Sequence, residues 1–285
     1  MKNKNYKKRR LLGLFLALII LIGVWIYWGN TTILINRIEI NNPKIQNSFN
    51  NYKIAHISDL HNHDWKNQLI DNLKKESPDI IVITGDIIDS RRTNEHLALV
   101  FLIEAKEIAP IYYVTGNHEG RHNYYPKFKT EMENLGVHVL DNKSVMLNKN
   151  DEEIKLLGID DPSFTKKNEI LSTNSDILKH HIKNMDDGFE GFKILLAHRP
   201  EFFQSYKESG MDLIFSGHAH GGQVRLPLIG GIVAPGQGFL PKYDSGLYKE
   251  DDSQLVVSRG LGNSIIPIRI NNNPELIIIK LHSKQ

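Results

Sequence analysis

The chain has 285 residues, 40% of them hydrophobic, enough for one large core or two modest domains. It contains no cysteine, so disulfides and thiolate metal sites are excluded, and any metal must sit on His, Asp, Glu or Asn. The net charge of +2 is uneven: residues 1–10 carry six basic side chains and no acid, and the remainder has 29 basic against 33 acidic, a −4 body with no electrostatic footprint for nucleic acid.

Behind the basic tail, residues 1–10, comes LLGLFLALIILIGVWIYW, residues 11–28, without a charge. As a helix it spans about 27 Å, close to the thickness of a bilayer core. Trp25, Tyr27 and Trp28 gather at its far end, where an aromatic belt lies. No small-x-small cleavage site follows it, and the surroundings of Arg9-Arg10 fit a twin-arginine signal poorly. We therefore read an uncleaved, single-pass anchor, with the basic side cytoplasmic and the body extracytoplasmic. Residues 29–51 read as an Asn-rich linker holding one short strand.

From Tyr52 onward the pattern is regular, and 52–285 reads as one catalytic domain. Short apolar runs at 53–57, 80–83, 111–114, 193–197 and 213–215 read as buried strands, with further strands at 154–159, 255–259 and 276–281. Helices are predicted at 67–76, 94–107, 125–135 and 174–185; the second places Leu97, Val100, Phe101 and Ile108 near helical spacing. This alternation is α/β, with sheets covered by helices. The polar stretch 163–190 receives no chemistry, and its adjacent His180 and His181 read as a solvated face.

Each of the five runs ends in a metal-capable side chain. SDLH brings Asp59 and His61, TGDIID brings Asp86 and Asp89, and TGNHE brings Asn117 and His118. HRPE brings His198, and SGHAH brings His218 and His220. In open α/β sheets, ligands bind at the carboxyl ends of strands. In extended chain, residues i and i+2 point the same way, so GHAH reads as a two-ligand clip, and Asp59 with His61 as another. Gly85, Gly116 and Gly217 permit tight turns and close backbone approach to metals. Two Asp, one Asn and four His exceed the needs of one tetrahedral zinc and suit two divalent ions, Mn, Fe or Zn.

In this order, DLH…GDIID…GNHE…AHRPE…GHAH resembles the calcineurin-like metallophosphoesterases. HGGQVRLP, APGQGFLPKYDSGLY, SRGLGNS and the anchored N-terminus resemble their membrane-associated bacterial branch. The resemblance implies a two-sheet β-sandwich flanked by helices, behind one transmembrane helix. It implies that Asp59, His61, Asp86 and His220 bind one metal, and that Asp86, Asn117, His198 and His218 bind the other. A metal-bridging hydroxide then attacks a phosphoester, a phosphodiester or phosphomonoester, near the outer face of the membrane. His118 serves the leaving group, oriented by Asp89. Glu119 stands where the family more often has aspartate.

Some neighbouring residues carry weaker readings. His63 reads as a loop histidine and His56 as packed inside its strand. His122, Arg199 and Arg259 lie within possible reach of substrate, with structural pairing the alternative for the arginines. The apolar stretch 225–241 reads either as a lip near the membrane or as a packed loop. A metallo-β-lactamase pattern fails because Asp64 directly follows His63, and an amidohydrolase barrel would leave GDIID and GNHE without roles. A non-catalytic, metal-dependent cell-surface binding protein would keep the ligands without needing His118 or Asp89. The expected partners are the membrane and a phosphoester substrate, lipid- or wall-linked; oligomeric state is not legible.

Overall fold

The computed structural model describes residues 2–164, 173–263 and 268–283. Residues 165–172 of the polar stretch and Ser264 of SRGLGNS lie outside them. The strands in chain order are β1 (Leu34–Asn42), β2 (Lys53–Ile57), β3 (Ile80–Thr84), β4 (Ile111–Val114), β5 (His138–Val139), β6 (Lys143–Lys149), β7 (Glu152–Gly158), β8 (Lys193–Leu196) and β9 (Leu213–Ser216). Two small hairpins follow, β10 (Arg225–Leu226) with β11 (Gly230–Gly231) and β12 (Val233–Ala234) with β13 (Gly238–Phe239). The last three are β14 (Gly246–Glu250), β15 (Ser253–Val257) and β16 (Glu275–Ser283). The helices are α1 (Lys2–Thr31), α2 (Asn67–Glu76), α3 (Glu95–Lys106), α4 (Tyr125–Asn134), α5 (Asn174–Met185) and α6 (Phe203–Glu208).

Two six-stranded sheets form, ordered β1-β16-β2-β3-β4-β5 and β14-β15-β9-β8-β7-β6. Their period-2 alternation explains the sandwich. Ile54, Ile80, Val82, Ile194, Leu196, Leu213, Phe215, Ile277 and Ile279 pack into one core between the sheets. The residues between them face the other way. Ala55, Ile57, Ile81 and Ile83 meet Leu69, Leu73 and Phe101 of α2 and α3, while Leu195 and Ile214 meet Leu178 and Ile182 of α5. Strands buried on both faces read as continuous apolar runs, which is why KIAHI, IIVI and KILL lack polar alternation. Burying each such side chain contributes about 1.5–3 kcal/mol.

Two expectations change. Residues 29–51 are not a free linker. Nine residues of β1 pair in parallel with β16, from Leu34↔Glu275 to Asn42↔Ser283, so the folded body begins well before Tyr52. The stripe of α3 is Ala98, Phe101, Leu102 and Ala105, and Val100 faces solvent; the small alanines let the helix sit close to its sheet.

The predicted anchor lies within α1, whose Tyr6–Thr31 stretch is long and apolar enough to cross a membrane and is unburied by the rest of the protein. The helix ends against the body. Asn30 Nδ2 donates to the Arg269 carbonyl at 2.8 Å, and Arg269 N donates back to Asn30 Oδ1 at 2.8 Å.

Candidate metal centre

The carboxyl ends of β2, β3 and β4 lie side by side in parallel register, and those of β8 and β9 do the same in the second sheet. The turns after these five strands meet across the sandwich. Asp59, His61 and His220 have ligand atoms within 4.8 Å of one another, as do Asp86, His198 and His218. His61 Nε2 and His220 Nε2 stand 3.2 Å apart, and His198 Nε2 lies 3.3 Å from Asn117 Oδ1. Asp86 Oδ2 lies 3.7 Å from His61 Nε2 and 3.4 Å from His198 Nε2, so one carboxylate reaches both groups. All seven side chains are buried.

The donors fit divalent cations. His218 Nε2 is buried without a hydrogen-bond partner. His198 Nδ1 donates to the Thr84 carbonyl at 2.7 Å, fixing the tautomer and turning Nε2 toward Asp86 and Asn117. Burial and the neighbouring His198 charge push His218 down to about 3; burial also takes His220 to about 3, against the pull of Asp59. Both imidazoles are therefore neutral, the form that binds metal. Burial also disfavours charge on His198, but the Asp86 carboxylate outweighs it and raises that group to about 10, so a cation there displaces a proton.

The backbone here is not extended. Asp59, His61, Asp86, His218 and His220 all have left-handed φ, between 47° and 63°. GHAH is thus a turn, not an extended clip. Its two histidines diverge, His218 toward Asp86 and His198, His220 toward Asp59 and His61. Left-handed φ costs non-glycine residues roughly 1–3 kcal/mol each, and such strain concentrates at functional sites.

The glycines make room. A Cβ on Gly217 would stand 1.9 Å from Ser58 Oγ and 2.3 Å from Asp59 Oδ2; one on Gly116 would stand 2.3 Å from Asp86 Oδ1. Gly217→Ala is therefore expected to displace Asp59 and abolish metal retention, measured by elemental analysis of the purified chain. Full metal content in that variant would contradict the close approach.

Three residues have roles that sequence reading did not assign. Glu119 is fully buried, and its carboxylate accepts from Asp86 N at 2.8 Å, Gly116 N at 2.8 Å and Ile88 N at 3.3 Å. It ties the GDIID and GNHE turns together. Burial and the Asp86 charge push it up to about 7, against the Gly116 and Asp86 N–H donors. Asn272 Nδ2 donates to the His220 carbonyl at 2.7 Å, bracing the GHAH turn. Ser90 is the third: its N–H donates to His118 Nδ1 at 3.0 Å, while Asp89 Oδ1 lies 3.5 Å away and is engaged by Arg91. Ser90, not Asp89, is the nearer partner of His118.

The other candidates fall into structural places. His56 Nε2 is hydrogen-bonded to Thr84 Oγ1 at 2.8 Å, and its ring meets Phe215 inside the sandwich. His63 packs on Trp65, and His122 pairs with Glu95 at 2.5 Å beside a roughly 590 Å³ surface cavity that Ser90 also lines. Arg199 is paired with Asp161 at 2.6 Å, and Arg259 stands against Glu275 at 3.7 Å.

Residues 52–222 match the calcineurin-like phosphoesterase family. The chain belongs to that family. Over 252 residues it is 30% identical to the metallophosphoesterase YkuE of Bacillus subtilis, covering 86% of this chain and 84% of that protein. It is 27% identical over 264 residues to a transmembrane protein with a metallophosphoesterase domain from Bos taurus, covering 85% of this chain and 55% of that one. TT1561 of Thermus thermophilus shares the fold, with a TM-score of 0.51 at 13% identity, covering 73% of this phosphoesterase and 89% of its own chain. Family membership carries metal-dependent phosphoester hydrolysis.

Proposed function

We propose that this phosphoesterase hydrolyses phosphodiesters at the outer face of a membrane, on lipid- or wall-linked substrates, with two divalent ions drawn from Mn, Fe and Zn. The carrying observation is Asp86, whose single carboxylate lies within 3.7 Å of histidines from both ligand groups. In this reading Asp59, His61, Asp86 and His220 hold one ion, and Asp86, Asn117, His198 and His218 hold the other. When bound, the pair supplies a nucleophile at neutral pH and offsets charge developing at phosphorus.

The protein's own groups do the rest. His118 packs edge-on against His61, with ring centroids 4.5 Å apart, and is partly exposed. In the neutral ring Nδ1 accepts from Ser90 N–H and Nε2 carries the hydrogen. Protonating a departing alkoxide takes the imidazolium, whose Nδ1–H has Ser90 Oγ at 3.2 Å and Asp89 Oδ1 at 3.5 Å as acceptors, while Nε2–H gives its proton and the ring is left neutral. Its backbone N–H donates to Asp86 Oδ1 at 2.7 Å, so the donor and the shared carboxylate keep a fixed spacing. An alkoxide leaving from a diester needs such a donor, and a non-catalytic binding protein does not. The apolar run of α1, with the basic residues in the first turns of the same helix, supports the membrane and outward placement.

Protein purified without chelator is expected to hold about two ions per chain and to cleave bis(nitrophenyl) phosphate faster with added Mn²⁺. One ion per chain with full activity would remove the two-metal reading.

A further inference from the structure

The two small hairpins after GHAH expose an apolar crest. Leu228 is fully exposed, Phe239 is 71% exposed, and Leu226, Ile229, Leu240 and Ile268 are also exposed. Leu228 and Leu240 hold left-handed φ of 67° and 52°, outliers for bulky residues. Among the described residues nothing covers Leu228, and Leu240 is about half covered.

The crest is bound to two features already described. On one side it joins the centre. Gly222 directly follows the His220 turn, and a Cβ there would stand 2.3 Å from Gly231 Cα; Arg225 Nη1 donates to the Gly221 carbonyl at 2.9 Å. On the other side it joins the end of α1. Arg225 N donates to the Ile270 carbonyl at 3.0 Å, Gln223 Nε2 donates to the Ile268 carbonyl at 2.8 Å, and the intervening Arg269 backbone is the partner of Asn30. Asn30 follows Trp28 by two residues, about 3 Å of helix rise. The base of the crest is therefore tied to the segment that holds the aromatic end of α1, where a spanning helix meets the headgroups.

We propose that this crest dips into the interface of the bilayer that α1 spans, so that the metal centre opens at the membrane surface and takes phosphoesters whose apolar part stays in the lipid. The substrate half of this statement rests on the phosphoesterase reading above; the immersion does not. The occupant is the lipid surface, because the base of the crest is hydrogen-bonded to the segment that holds the end of the anchor. Exposed apolar residues beside a spanning helix gain by leaving water.

The absence of cysteine makes the test clean. Full-length chains carrying Leu228→Cys, Phe239→Cys, Leu18→Cys or Glu153→Cys are nitroxide-labelled and reconstituted in vesicles of phosphatidylglycerol and phosphatidylethanolamine. Collision with oxygen and with a nickel chelate gives depth. Leu18 lies inside α1, and Glu153 lies near the start of β7, at the end of the sheet opposite the strand ends that carry the centre. Labels at 228 and 239 are expected about 5–10 Å into the headgroup–acyl boundary, with 18 deeper and 153 aqueous. Aqueous labels at 228 and 239 with 18 immersed would overturn the proposal, as would an aqueous label at 18. Shielding from both reagents with label–label broadening would assign the crest to a second copy of this chain and overturn it equally. Hydrolysis of bis(nitrophenyl) phosphate by the same vesicles is read separately, so a failed enzyme reading and a failed immersion are told apart.

Discussion

His118→Ala is expected to keep both metals and to lose about 10²–10⁴ in kcat/KM on an alkyl phosphodiester. On a nitrophenyl ester the loss should be far smaller, because nitrophenolate departs without a proton. Asn117→Ala, one residue away, should fail differently, losing one ion and slowing both substrates alike, because its Oδ1 faces His198 at 3.3 Å. Asp89→Ala should be mild, since Ser90 N–H holds the His118 ring more closely than Asp89 does. Rates on both esters at saturating Mn²⁺, with metal content, separate the three. Equal slowing on both esters with loss of metal in His118→Ala would make His118 a ligand instead.

Glu119→Ala is expected to be strongly destabilising although Glu119 is not itself one of the seven candidate ligands. It strands three buried N–H groups, those of Asp86, Ile88 and Gly116. Unsatisfied donors cost about 1–3 kcal/mol each, so a loss of about 3 kcal/mol or more follows. For a body of this size that is a fall in Tm of roughly 6 °C or more. Glu119→Gln, which keeps an acceptor oxygen, should lose less. Thermal melts of the metal-free chains remove any effect of lost ions; unchanged melting of Glu119→Ala would show that water fills the gap and that the carboxylate ties nothing together.

The centre was legible because metal chemistry restricts residue types and parallel strands place their ends together. Asp59, Asp86, Asn117, His198 and His218 each follow an apolar run, and the runs survive as β2, β3, β4, β8 and β9. What the letters hid was non-local. β1, LINRIEINN, is polar enough to pass for a connector because an edge strand faces solvent; only its pairing with β16 gives it a place. The left-handed backbone at His218 and His220 was equally hidden, since the letters GHAH fit an extended reading as well as a turn. Glu119 looked incidental because its three partners are backbone amides, which leave no trace in composition. The hairpins β10–β13, two residues per strand, are too short to show a period.

The order of the first sheet has a consequence for how the molecule is made. β16 lies between β1 and β2, although Glu275 comes 218 positions after Ile57. Contacts so distant along the chain form slowly. The two strands nearest the anchor must wait, unjoined, until the far end of the polypeptide arrives. Asn272, which braces the His220 turn, arrives with it. A nascent chain stalled before that point carries most of its ligands yet lacks a set GHAH turn. On this topology, hydrolytic power is expected only after the last strand has docked.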